Sequence, residues 1–77
     1  GFERPQSFYM KNTYVPLDII YLNNENTVVS IQKNAVPLDE TSLPSFKPAS
    51  LVLEVTGGFC DKYGVSEGTF LEWKRIK

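Results

Sequence analysis

The sequence predicts a mainly β protein with one short helix, an α+β fold in which about five strands form a small, partly closed β-barrel. Short runs rich in Tyr, Val, Ile and Leu, separated by turn residues, predict the strands. Their apolar and polar residues do not alternate cleanly, which indicates that both faces of the strands are partly covered. The chain has 77 residues, so residues 1–77 are predicted to fold as a single domain.

The elements can be placed along the chain from local signals. Turn-forming Asn23, Asn24 and Asn26 predict a hairpin, because Asn tolerates the left-handed region and bonds its own backbone. One helical turn over residues 59–63 is expected to end at Gly64 as its C-cap. The strands are predicted at residues 7–10, 17–22, 27–32, 49–55 and 69–76.

Residues 33–48 are predicted to form a long loop. They show no periodicity and contain Pro37, Pro44 and Pro48. Their apolar side chains indicate that the loop packs against the domain. A loop of this length in a small domain is commonly functional, so we expect it to border a binding site.

Composition excludes several kinds of site and partner. The chain has no His and only one Cys, Cys60, which excludes a zinc site built on His and Cys, Ser-His-Asp and Cys-His catalysis, and an internal disulfide. No metal or other cofactor is predicted. Acids and bases are mixed and the net charge is −1, so nucleic acid is not a predicted partner. No apolar run approaches the ~20 residues of a membrane span.

A bend between residues 12 and 16 is the first candidate site. Pro16 has no N–H to give a sheet and pushes Val15 into an extended conformation, so the chain must bend or cross over here. Four side chains able to hydrogen-bond converge on the bend and predict a shallow ligand site over residues 11–18, with the ligand unidentified: Lys11, Asn12, Thr13 and Asp18.

Asp18 and Glu54 are acids on otherwise apolar strands. A buried carboxylate without partners is costly, so Asp18 is expected to bond backbone N–H groups of the bend or the Lys11 ammonium. Each acid either stabilises the fold or serves a ligand, as an orienting group or a general base. If the two faced one another across a cleft, they would resemble the carboxylate pair of a glycosidase or an aspartyl enzyme.

Three other features are interpreted structurally. Cys60, near the start of the helix, is predicted to be packed and unreactive. Gly57-Gly58 is interpreted as a turn, which is favoured over the alternative of a phosphate-binding loop. The aromatic residues fit a small core, with a stacking platform for a sugar or a base as the alternative: Tyr9, Tyr14, Tyr21 and Trp73.

Several motifs, in the right order, resemble the signature of the domain of unknown function 192 (DUF192) family. They are Phe8, Met10-Lys11-Asn12-Thr13, Pro16-Leu17-Asp18-Ile19, Ala35-Val36-Pro37, Pro44, Ala49, Val52-Leu53-Glu54, Gly64-Val65 and Gly68. The resemblance implies a small β-rich domain, mostly bacterial or archaeal, with no assigned molecular function. Family members often follow a signal peptide or lipid anchor, which implies an extracytoplasmic location, although the first residues here carry no such signal. Thr69 stands where the family more often has Asp.

The resemblance also implies further residues before the Phe8 strand, so that this chain corresponds to the C-terminal two-thirds of the domain. A strand would then lack its neighbour, and an apolar surface lined by Met10, Leu53 and Trp73 would be bare. Open strand edges recruit other chains, so we expect self-association through that edge, most simply as a dimer.

Three functional hypotheses follow. The favoured one is an extracytoplasmic binding or accessory module whose shallow site is formed by the bend and the long loop. The second is a hydrolase that uses Asp18 and Glu54. The third is a purely structural or interaction domain. Enzymatic activity is not favoured.

Overall fold

The fold was analysed in a computed structural model that describes residues 2–72. The elements in chain order are β1 (Arg4–Phe8), β2 (Leu17–Leu22), β3 (Val28–Ala35), β4 (Leu43–Ala49), β5 (Leu51–Thr56) and α1 (Phe59–Tyr63). The predicted α+β class, mainly β with one short helix, is confirmed. The described helix is too short to cross a membrane.

The five described strands form two antiparallel sheets. One contains β1 and β4, and the other has the order β3-β2-β5. Over residues 2–72 the sheets do not close into the predicted barrel. Side chains join them instead: the Tyr21 hydroxyl donates to the Leu43 carbonyl, and Gln32 Nε2 donates to the Pro44 carbonyl at 2.9 Å. Prolines in β4 remove N–H donors that a closed ladder would need.

The prediction of a loop over residues 33–48 is wrong, because these residues contain the end of β3 and most of β4. Pro44 and Pro48 suggested a loop, but β4 pairs only with β1 among the described strands, and edge strands tolerate proline. The register shifts in the middle of this pair, where Phe46 has a φ of 63° and is 78% exposed. Buried Ser45 fills the irregularity, accepting from Gln6 N–H at 2.9 Å and donating to the Lys47 carbonyl at 2.7 Å.

Strand β1 lies three residues earlier than its predicted start, at Arg4–Phe8 instead of residues 7–10. Pro5 is accommodated within this strand, where it lies opposite Pro48. The strand predicted at residues 49–55 corresponds to β5, which begins two residues later, at Leu51. Of the strand expected at residues 69–76, Phe70 forms an isolated bridge with Thr27, and residues 73–76 lie outside the described part.

The hairpin between β2 and β3 is confirmed. Asn23 Oδ1 accepts the N–H groups of Glu25 at 2.9 Å and Thr27 at 3.0 Å, and Asn26 has a φ of 58°. The helix also ends as predicted: Gly64 has a φ of 68° and its N–H donates to the Cys60 carbonyl.

Strand β2 separates two hydrophobic clusters, which confirms that both of its faces are covered. Ile19 and Tyr21 pack on one side, with Met10, Ala35 and Ala49. Ile20 and Leu22 pack on the other, and their cluster also contains Val28, Cys60 and Val65. Alternate residues of a strand point to opposite faces, so this central strand serves both cores.

Met10 and Leu53 do not form the bare apolar surface that was expected of them. Met10 is fully buried, and Leu53 is half-buried against the second cluster. Trp73 lies outside the described residues. The turn after β1 carries Met10 into the first cluster, which the sequence did not reveal.

Candidate functional site

The predicted bend is a turn held by backbone hydrogen bonds. Thr13 N–H donates to the Met10 carbonyl at 3.1 Å, Met10 N–H donates to the Asp39 carbonyl at 3.0 Å, and Leu38 N–H donates to the Thr13 carbonyl at 2.9 Å. The Met10 side chain is buried in the core. The turn is therefore anchored at both ends and to the segment before β4, while Lys11 and Asn12 stay exposed.

A shallow cleft of about 390 Å³ lies beside this turn. It brings together four of the five candidate residues, Lys11, Asn12, Thr13 and Glu54, although Glu54 comes from β5. Three further residues line it: Ser7, Phe8 and Tyr9. Tyr9 is one of the predicted core aromatics, with a stacking platform as the alternative. Ser7 and Phe8 are not among the predicted site residues, although their position before the turn was a usable signal.

The candidate side chains in the cleft do not build the fold. Asn23 Oδ1 and Asp39 Oδ1 close their own turns by accepting backbone N–H groups. By contrast, the side chains of Lys11, Asn12, Thr13 and Glu54 make no hydrogen bond within residues 2–72. The two ion pairs found there, Lys33–Asp61 and Lys47–Glu67, also leave them out. In the described part of the chain, backbone bonds therefore close the turn and these four side chains take no part in holding it.

Asp18 does not join the cleft. It is fully buried, and its carboxylate accepts three backbone N–H groups: Oδ1 from Asn34 at 2.8 Å and Gly58 at 3.2 Å, and Oδ2 from Cys60 at 2.9 Å. The expectation of backbone partners is met, but these donors belong to the end of β3 and the start of α1, not to the bend. Burial alone would raise the pKa of Asp18; the three N–H bonds outweigh burial and hold that pKa below its ordinary value.

The hydrolase hypothesis finds no support in the geometry. In the pairing of β2 with β5, Ile19 lies opposite Glu54 and Asp18 lies opposite Val55. Paired residues share a face and successive residues alternate, so Asp18 and Glu54 point to opposite faces of the sheet. The two acids cannot face one another across a cleft.

Cys60 is buried, as predicted for a packed thiol. Burial, with added hydrogen bonding to Asp18, raises the pKa of the Cys60 thiol to about 11. A thiol that stays protonated at neutral pH is a poor nucleophile and a poor metal ligand.

The glycine turn before α1 forms a second hollow of about 360 Å³, lined by Gly57, Gly58, Phe59, Lys62 and others. The N–H groups of Gly58 and Cys60, which would cradle a phosphate, are already bonded to Asp18. Gly57 itself is set by close packing, because a Cβ there would lie 2.9 Å from Asn34 Oδ1. Residues 2–72 contain no group of three side chains able to hold a metal ion.

The sequence matches the family model of DUF192, described as an uncharacterized ACR family, over residues 2–73. The chain belongs to the DUF192 family. No curated protein matches it.

Two solved structures resemble this DUF192 chain closely. A protein of unknown function from Novosphingobium aromaticivorans DSM 12444 is 42% identical with a TM-score of 0.86, and the match covers 92% of this chain and 51% of the other. A protein of Sinorhizobium meliloti 1021, described as a candidate transcription regulator, is 41% identical with a TM-score of 0.83, over 86% of this chain and 51% of the other. The chain therefore spans about half the length of each of these structures.

Proposed function

We propose that this DUF192 domain is a small-ligand binding or accessory module whose site is the cleft beside the turn at residues 10–13. The proposal rests on one observation. Four polar residues line a single cleft, and their side chains make no hydrogen bond or ion pair within residues 2–72: Lys11, Asn12, Thr13 and Glu54. Asp18 is left out of this site, because it is buried and its carboxylate is bonded to three backbone N–H groups.

The purely structural hypothesis makes the opposite prediction for these side chains. Polar groups that hold a fold cost free energy when removed, whereas exposed groups that serve a ligand do not. We expect the variant Lys11→Ala/Asn12→Ala/Glu54→Gln to keep its free energy of unfolding within about 0.5 kcal/mol of the parent. Urea denaturation followed by circular dichroism measures this.

The same variant should lose ligand binding at the cleft. Parent and variant, labelled with ¹⁵N, are titrated with a mixed panel of small polar compounds, and amide shifts are mapped onto the chain. Shifts of the parent should concentrate at residues 7–13 and 54 and disappear in the variant, while Glu40→Gln, an exposed acid outside the cleft, should behave as the parent. A destabilised variant, or shifts that map elsewhere, would contradict the proposal.

The description of the S. meliloti relative raises nucleic-acid binding as a second possibility. We do not adopt it for this chain, because the net charge is −1 and two of its lysines are neutralised in ion pairs. Including a short duplex DNA in the panel tests this directly.

We also propose an extracytoplasmic location and self-association through a strand edge. The location rests on the family resemblance alone, and fractionation of cells that express the tagged full-length protein tests it. Self-association is supported by β5, which pairs with β2 on one side and with no other strand in the part of the chain that the structure describes.

A further inference from the structure

The cleft is lined by both aromatic and polar side chains. Phe8 and Tyr9 supply aromatic surface, and Tyr9 is 54% exposed although it is a large side chain. Its polar lining groups come from Lys11, Asn12, Thr13 and Glu54. An exposed aromatic ring beside polar groups that make no side-chain hydrogen bond within residues 2–72 suits a ligand with one apolar face and several hydrogen-bonding edges.

The polar groups offer both hydrogen-bonding directions. The Lys11 ammonium only donates, the ionised Glu54 carboxylate only accepts, and the Asn12 amide and Thr13 hydroxyl do both. A hydroxyl group can donate to one neighbour and accept from another at the same time. A ligand that carries several adjacent hydroxyls therefore matches the whole set, while a pure acceptor or a pure donor matches only part of it.

Charge favours a neutral ligand. The cleft holds one base and one acid, so a ligand of either sign meets one like charge. Because the cleft is shallow and open to water, an ion pair formed there gains little, and an ionic ligand must still shed part of its hydration. A neutral hydroxyl gains a charge-assisted bond from Lys11 or Glu54 without that cost.

We propose that the cleft binds a saccharide, with a pyranose ring packed on Tyr9 and its hydroxyls bonded to Lys11, Asn12 and Glu54. This inference rests on the proposed binding function and names its ligand class. The backbone bonds of Met10 and Thr13 hold the backbone of the turn that carries Lys11 and Asn12, which limits the backbone ordering that binding requires.

The test is an amide-shift titration of the ¹⁵N-labelled protein with separate probes. The sugars are glucose, galactose, N-acetylglucosamine and their β-1,4-linked disaccharides; the comparison probes are glycylglycine, sodium phosphate and uridine. We expect saturable shifts from at least one sugar, at residues 7–13 and 54, with larger affinity for the disaccharide than for its monomer.

Variants identify which groups act. Tyr9→Ala should weaken sugar binding about 10-fold or more, and Tyr9→Phe should restore most of it, because the ring face is what stacks. Glu54→Gln should weaken it about 5-fold by removing a charged acceptor, whereas Glu40→Gln should leave it unchanged. Melting curves of each variant, compared with the parent, verify that it is folded.

The outcomes separate the two claims. Saturable shifts at the cleft from a comparison probe and from no sugar would overturn the saccharide assignment and leave the binding site standing. No response at the cleft to any probe would overturn both. Sugar binding that survives Tyr9→Ala unchanged would also overturn the assignment, since the ring would then play no part.

Discussion

At the scale of single residues, Asp18 joins three parts of the chain that are distant in sequence. Its carboxylate holds the end of β3 and the first turn of α1 against β2, through N–H groups that lie 16, 40 and 42 residues further along the chain. A carboxylate near a helix start also meets favourable backbone dipoles. These contacts make Asp18 part of the scaffold.

Removing the Asp18 charge should destabilise the fold. Asp18→Asn keeps the shape but turns an amide NH₂ group toward at least one backbone N–H, and Asp18→Ala leaves three donors unsatisfied. We expect Asp18→Ala to lower the free energy of unfolding by roughly 3 kcal/mol at pH 7 and Asp18→Asn to lower it less, given about 1–3 kcal/mol for each buried unsatisfied group and partial relief by water. Urea denaturation measures the loss.

The same contacts should make stability depend on pH. The folded state lowers the pKa of Asp18, so its contribution is fully present above the unfolded pKa of about 4 and is lost as the pH falls through the lower native pKa. The Asp18→Asn variant should lose less stability than the parent over this acidic range. Glu40→Gln is the control, because Glu40 is an exposed acid that takes no part in the contacts of Asp18. Equal acid sensitivity of parent and Asp18→Asn would contradict this role.

The partners of Asp18 show where prediction from sequence ends. Its burial and its need for hydrogen-bond donors followed from a lone acid among apolar residues. The identity of the donors did not, because Asn34, Gly58 and Cys60 reach Asp18 only after the strands have paired and α1 has docked. Lys11, which is close to Asp18 in the sequence, was the other predicted partner of this carboxylate, but it lines the cleft instead.

At the scale of elements, sequence signals predicted turns and helix ends correctly where neighbouring residues alone determine the conformation. The Asn23 hairpin and the Gly64 cap depend on residues within one turn, and both are confirmed. Strand β4 was missed because Pro44 and Pro48 normally end strands, and only the pairing with β1 shows that this is an edge position. Proline therefore hid a strand whose stability comes from a distant partner.

The Tyr21 hydroxyl is the clearest link between the two sheets. It donates to the Leu43 carbonyl of β4, and burial raises the pKa of Tyr21, so the phenol stays protonated. Tyr21→Phe should cost about 1 kcal/mol, the usual net value of one hydrogen bond, and should speed amide hydrogen exchange in β4 more than in β2. Tyr63→Phe, at an exposed tyrosine, is the matched control. Unchanged exchange in β4 would show that other contacts hold the sheets together.

At the scale of the whole molecule, the pairing of the strands brings together the residues of the candidate site. Lys11, Asn12 and Thr13 could be selected from sequence because they form one turn, but Glu54 reaches them only because β5 pairs with β2 in the observed register. The same register sends Asp18 to the other face and separates the acids of the hydrolase hypothesis. Sequence spacing carries no information on which of these arrangements occurs.

The strand edges of the molecule differ in how well they are protected against pairing. Strands β1 and β4 contain Pro5, Pro44 and Pro48, which cannot donate to an added strand. Strand β3, the other edge of the three-stranded sheet, also has no proline, but it lies beside β4, whose Pro44 carbonyl accepts from Gln32 Nε2. Strand β5 has no proline and one charge, and its second edge meets no strand within residues 2–72. We therefore expect self-association to use β5, paired antiparallel with β5 of a second copy about a two-fold axis.

Light scattering over a range of protein concentrations tests this arrangement. The parent should shift from monomer toward dimer mass as the concentration rises. Thr56→Lys, which adds an exposed charge at the end of β5, should stay monomeric at concentrations where the parent is dimeric, because edge lysines oppose strand addition. Thr41→Lys adds the same charge at an exposed position outside the strands and should dimerise as the parent does. A parent that remains monomeric throughout, or two lysine variants that behave alike, would place the contact elsewhere or remove it.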